Sequence, residues 1–130
     1  MTRYNLKLFV SAALLTSLLS VSANAEQLLQ SIQADYKQRL GDLFVDFHRN
    51  PELSTAEVRT ANKLAAELRG SGFEVSEGIG GTGIVALLEN GPGPLVMLRA
   101  DMDGLPLEEK SGLAYASKAK QLDPITGKVF

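Results

Sequence analysis

The hydrophobic pattern of this chain changes period once, between Leu68 and Phe73, and that change dictates a mixed α/β fold. Before it, apolar residues recur at three- and four-residue steps, the repeat of one helix face. Leu28, Leu29, Ile32, Tyr36, Leu40, Leu43, Phe44 and Phe47 form one such series, and Val58, Ala61, Leu64, Ala65 and Leu68 form another. Two helices are therefore predicted. The first spans Glu26 to Asn50, weakened in the middle by Gly41 and ended where Pro51 forces Asn50 out of the helical region. The second follows "STAE", where Ser54 and Glu57 have the spacing of a capping box, and ends at Gly70 and Gly72.

Beyond the change the residues read as strands. Phe73-Glu74-Val75 alternates, Ile84 to Leu88 is a continuous apolar run that expects cover on both faces, and Leu95 to Ala100 is another run. "ENGPGP" between the last two is turn chemistry and predicts an antiparallel hairpin across Glu89 to Pro94. After Pro106 the chain is polar and irregular, with a turn expected near Pro124 and Gly127. Two features predict an incomplete domain, the front portion of a larger one: the strand that expects cover on both sides, and a C-terminus that stops at the uncapped apolar pair Val129-Phe130.

The first 25 residues belong to a different class of segment. Arg3 and Lys7 give a basic start, Leu8 to Leu19 an apolar core of 12 residues, and Ala23-Asn24-Ala25 a small-residue cleavage site. That is the pattern of a secretory signal peptide, and its apolar core is far shorter than the ~20 residues of a membrane span. Residues 1–25 are predicted to be removed on export to the periplasm or medium, leaving 26–130 with no membrane association. Without Arg3 and Lys7, 11 basic residues face 15 acidic ones, a net charge of −4. Such a balance leaves no electrostatic footprint for nucleic acid. The absence of cysteine rules out disulfides and a lipoprotein anchor.

Three places could carry chemistry. "GIGGTG", Gly78 to Gly83, fits the dinucleotide fingerprint, but it runs into a strand instead of opening a helix, so it offers no helix N-terminus to a phosphate. His48, the only histidine, stands at the end of the first predicted helix, where the helix dipole alone favours it over a ligand or acid–base role. "LVMLRADMDGLP" is the third. Arg99, Asp101 and Asp103 share one face of an extended chain at the carboxyl end of a predicted strand, where α/β sheets place their active sites. Charges so placed must meet one another, a metal or water.

"HRNPELSTAE", "GIGGTGIVALL" and "LVMLRADMDGLPLEEKSGLAYAS", in this order and spacing, closely resemble the start of the M20 metallopeptidase family. The nearest branch is the amidohydrolases that cleave N-acyl and aryl-acyl amino acids, including hippurate and auxin conjugates, and the resemblance covers roughly Leu43 to Ser117. It implies a catalytic α/β domain with two divalent metals, zinc or manganese, and an inserted smaller domain that acts as a lid or in dimerisation, so a homodimer would form through a domain absent here. Small N-acyl amino acids or peptides would be the substrates. Many relatives end a strand in His-x-Asp; in this branch the pair reads Asp-x-Asp. Asp103 then matches the aspartate that orients a metal ligand, and Asp101 stands in place of the histidine. Gly104 departs from the branch's usual alanine, and His48 matches a motif histidine with no assigned role. The branch's ligands come from a Cys-Gly-His-Asp stretch, a Glu-Glu pair and further histidines, all expected after residue 130. The rival expectation is a non-catalytic exported binding module or the product of a degenerate, truncated gene.

Overall fold

A computed structural model describes residues 25–130. Apart from Ala25, the predicted leader lies outside the described residues. The chain divides after Phe44 into two units, the second being Val45–Phe130.

In the first unit, helix α1 (residues 25–35) runs through one wide π-helical turn, Tyr36–Leu40, into the start of helix α2 (Gly41–Arg49), whose residues from Val45 on belong to the second unit. The wide turn falls at the weak point that Gly41 marks in the sequence. The Gly41 amide donates to the Tyr36 carbonyl five residues back, and a Cβ at position 41 would stand 2.9 Å from that oxygen. A bare glycine permits the approach, which is how the π turn is accommodated.

In the second unit the chain leaves α2 at Arg49. The Asn50 amide and side chain both close on the Asp46 carbonyl, at 3.1 and 2.9 Å, and Pro51 carries the chain away. Helix α3 (Val58–Gly70) begins after a tight turn in which Ala56 donates to Leu53 and Thr55 takes a φ of 71°. The predicted capping box is not formed. Ser54 is exposed on that turn, and Glu57 makes no side-chain cap bond. Glu52 does the capping instead: its two carboxylate oxygens accept from the amides of Arg59 (3.0 Å) and Thr60 (2.6 Å). This places a negative charge against the free N–H groups and positive dipole end of α3. Asp46 adds a second tie. Lys63 and Arg59 each donate to it at 2.6 Å, and those contacts hold its carboxyl below the usual range.

Strands β1 (Glu74–Ile79) and β2 (Gly83–Leu87) pair antiparallel, with Glu74 opposite Leu87 and an irregularity between Glu77 and Ile79. The glycine run is the hairpin turn between them, with positive φ at Gly78, Gly80 and Gly81. It opens no helix, as its sequence context requires. Helix α3 packs on both strands. Its small residues allow a close approach: Ala61, Ala65 and Thr60 are buried, and Leu53 completes the apolar core.

Two strand expectations fail. The predicted strand Leu95–Ala100 is not formed, nor is its hairpin with β2; the chain bends at Gly91–Gly93 and residues 94–103 pair with no strand. β2 has cover on one face only, since Val85 and Leu87 are exposed while Ile84 and Ala86 are half-buried. The cause is physical: an apolar run becomes a strand only where a sheet edge meets its N–H and C=O groups. Among the described residues no edge meets Leu95 to Leu98, and Leu98 stays 95% exposed. The expected turn near the C-terminus is present: Gly127 donates to Asp123, and Gln121 and Phe130 exchange backbone hydrogen bonds.

Glu52→Ala strips two amides of α3 of their acceptor. Urea denaturation of the 130-residue chain is expected to show a loss of about 1 kcal/mol, the usual worth of a helix cap.

Candidate functional site

Arg99, Asp101 and Asp103 lie on one loop of the second unit, beside the end of α2, where His48 stands. The loop is tied down just after the aspartates. The Gly104 amide donates to the Glu52 carbonyl at 2.7 Å, and Leu53 and Gly104 form an isolated parallel bridge. A Cβ on residue 104 would stand 2.6 Å from the Pro51 Cβ, so this backbone approach requires glycine. The departure from the branch's usual alanine therefore has a steric reason in this structure. Gln121 closes the other side of the same segment, accepting from the Leu53 amide at 3.0 Å and donating to the Pro51 carbonyl.

Asp101 and Asp103 are both exposed, on the rim of an open cleft that Phe47, His48 and Glu109 also line. The three charges predicted on one face are partly brought together. Arg99 donates to Asp101 at 2.5 Å, while Asp103 makes none of the hydrogen bonds or ion pairs found among the described residues. The Arg99–Asp101 pair is solvated on both sides and contributes about 0–1 kcal/mol.

His48 acquires a partner that no local pattern announces. Its Nε2 lies 2.8 Å from Glu109 Oε1, and the ring meets Tyr115 edge-on, with centroids 5.0 Å apart and planes at 85°. The carboxylate can only accept, so Nε2 is the protonated nitrogen. Glu109 gathers two further donors, the Ser111 hydroxyl and the Ser117 amide, the latter at 2.6 Å. The Ser117 hydroxyl returns to the Arg49 carbonyl at 3.1 Å. The Ser111 hydroxyl, His48 and the Ser117 amide together draw the Glu109 carboxyl down to about 2. A second carboxylate, Glu57, is buried at the start of α3. Burial pushes it up, but the Thr82 hydroxyl at 2.5 Å and the amides of Glu57 and Thr55 outweigh that and leave it below its ordinary value. This bond holds the glycine-rich turn on α3.

A metal centre needs several convergent donors. Among the described residues no three of His, Cys, Asp or Glu converge on a point that could hold an ion. Asp101 is turned to Arg99, and His48 is spent on Glu109. The residues present do not by themselves fit a two-metal site.

Helices α2 and α3 followed by the antiparallel pair of β1 and β2, with an Asp-x-Asp loop at a cleft, are compatible with part of an M20-type catalytic domain. The curated homologues of the chain are M20-family amidohydrolases. It is 49% identical over 75 residues to thermostable carboxypeptidase 2 of Saccharolobus solfataricus, which is 56% of this chain and 19% of the relative. It is 46% identical to the hippurate hydrolase of Campylobacter jejuni over 58% of this chain and 20% of the relative. To the N-acetyl-L-cysteine deacetylase of Bacillus subtilis it is 39% identical, over 64% of this chain and 20% of the relative. The matched stretch spans about a fifth of the length of these curated relatives. No family model matches the chain, and no solved structure matches it significantly.

Glu109 gives this site a pH signature. Its folded value is depressed, so the stability it contributes is fully present above its ordinary value of 4.5 and is lost as pH falls towards about 2. Carboxyl-carbon NMR should place its midpoint near 2, and Glu109→Gln should remove the acid-side loss in that window. A midpoint at the ordinary value would show that the three donors do not hold it.

Proposed function

We propose that this chain is the amino-terminal portion of the catalytic domain of an exported, metal-dependent amidohydrolase that cleaves the amide bond of N-acyl amino acids or small peptides. The observation that carries the reading is the shared chemistry of its relatives: a carboxypeptidase, a hippurate hydrolase and an N-acetyl-L-cysteine deacetylase each bear a name for hydrolysis at an amide. The "RADMDG" loop supports it by presenting two carboxylates at a cleft, on backbone anchored to Glu52 at the very next residue.

In this reading the zinc or manganese ions are held by residues outside these 130, since one histidine and no cysteine cannot build such a centre here. No step of the metal chemistry is assigned to the described residues. This chain's share is to orient: Asp103 fixes a ligand side chain by hydrogen bond, with Asp101 beside it. Loss of such a contact typically costs ~10–100-fold in activity or metal affinity. Taken alone, the chain turns over nothing.

In a polypeptide of the relatives' length that carries this stretch, Asp103→Ala should lower hippurate turnover at least about tenfold. Near-wild-type turnover would remove the residue from the site, and no turnover of any N-acyl amino acid by the parent would favour the non-catalytic exported module. Export has its own check. Amino-terminal sequencing of the protein from the periplasm or medium should begin at Glu26, and a product that retains Met1 would contradict the leader.

A further inference from the structure

We propose that His48 and Glu109 are positioning residues for the aspartate loop: their contact sets where Asp101 to Gly104 stand against the segment His48 to Leu53. The proposal rests on the amidohydrolase reading for its catalytic consequence, and on geometry alone for the clasp itself.

Little else holds the loop. Among the described residues, none of the hydrogen bonds or ion pairs ties residues 94–103 to the rest of the unit; the Arg99–Asp101 pair is internal to them. The aspartates are therefore located by two clamps on their C-terminal side. The nearer is the Gly104 amide on the Glu52 carbonyl at 2.7 Å. The further is Glu109, five residues on, with His48 Nε2 at 2.8 Å and the Ser117 amide at 2.6 Å. Both clamps seat on the same short stretch of chain, from His48 to Leu53.

One clamp at Gly104 would fix a point but leave the loop free to pivot about it. Glu109 removes that freedom, because its bonds form a closed ring. His48 donates to Glu109, Glu109 accepts from the Ser117 amide, and the Ser117 hydroxyl donates to the carbonyl of Arg49, the residue next to His48. Tyr115, inside the same ring, packs edge-on against the imidazole and fixes its plane. A histidine merely favoured by a helix end would need none of this. The partly shielded setting of the pair strengthens each link relative to open water: the two side chains are 27% and 20% exposed.

The test uses amide NMR of the 130-residue chain, with a kinetic arm. His48→Ala should shift and broaden the Asp103 and Gly104 amide resonances. His48→Gln, which returns an N–H donor to the place of Nε2, should restore them. In a polypeptide of the relatives' length, His48→Ala should lower kcat for hippurate about tenfold with KM little changed, and His48→Gln should recover most of it. Should His48→Ala fail to fold, Glu109→Gln, which removes one acceptor oxygen from the ring, should displace the same two resonances. Unmoved resonances in His48→Ala or in Glu109→Gln would overturn the clasp. So would a His48→Gln variant that perturbs them as much as alanine does. A parent enzyme inactive on N-acyl amino acids would overturn the amidohydrolase reading and, with it, the catalytic consequence, while the NMR result still decides the clasp.

Discussion

Glu52 uses both of its ends, and the second unit is organised around that. Its carboxylate caps α3 through Arg59 and Thr60, and its carbonyl holds the Gly104 amide. One residue thus fixes the start of the helix that carries the core and the end of the loop that carries the aspartates. The neighbours reinforce it. Leu53 is among the few buried apolar side chains, Asp46 reaches Arg59 and Lys63, and Gln121 brackets Pro51 and Leu53 from the other side. With so small an apolar core, these polar ties carry an unusual share of the unit's definition.

The helices are legible in the sequence because their bonds are local. An i, i+4 ladder is decided by residues within one turn, so periodicity, Pro51 and the glycines at 70 and 72 mark α2 and α3 closely. Even the π turn falls at Gly41, the flaw visible in the sequence. The cap is not legible. Three acceptors stand near the start of α3, and the turn at Thr55, with φ 71°, selects Glu52 over Ser54 and Glu57. The strands divide for the same reason. β1 and β2 are joined by a short turn and find each other, whereas Leu95–Ala100 has strand composition and, among the described residues, no edge to join.

The site is half legible. Side-chain alternation puts Arg99 with Asp101, and the structure pairs them. It cannot find Glu109 for His48, since the two are 61 residues apart and nothing within helical reach of His48 hints at a partner. "LEEKSGLAYAS" looks irregular because its order comes from one carboxylate collecting donors, a pattern with no period. The motif resemblance reaches further than residue physics does. It covers this loop as part of an M20-type sequence, and the homologues are M20-family amidohydrolases.

Native-state hydrogen exchange on the 130-residue chain tests the organising role of Glu52 most directly, because its two ends protect amides far apart in sequence. If Glu52 plays that role, Thr60 and Gly104 are both protected, residues 95–98 exchange freely, and Glu52→Ala, which removes the carboxylate but keeps the backbone carbonyl, weakens protection at Thr60 while Gly104 stays protected. Gly104 exchanging at the rate of unstructured chain while Thr60 stays protected would contradict it.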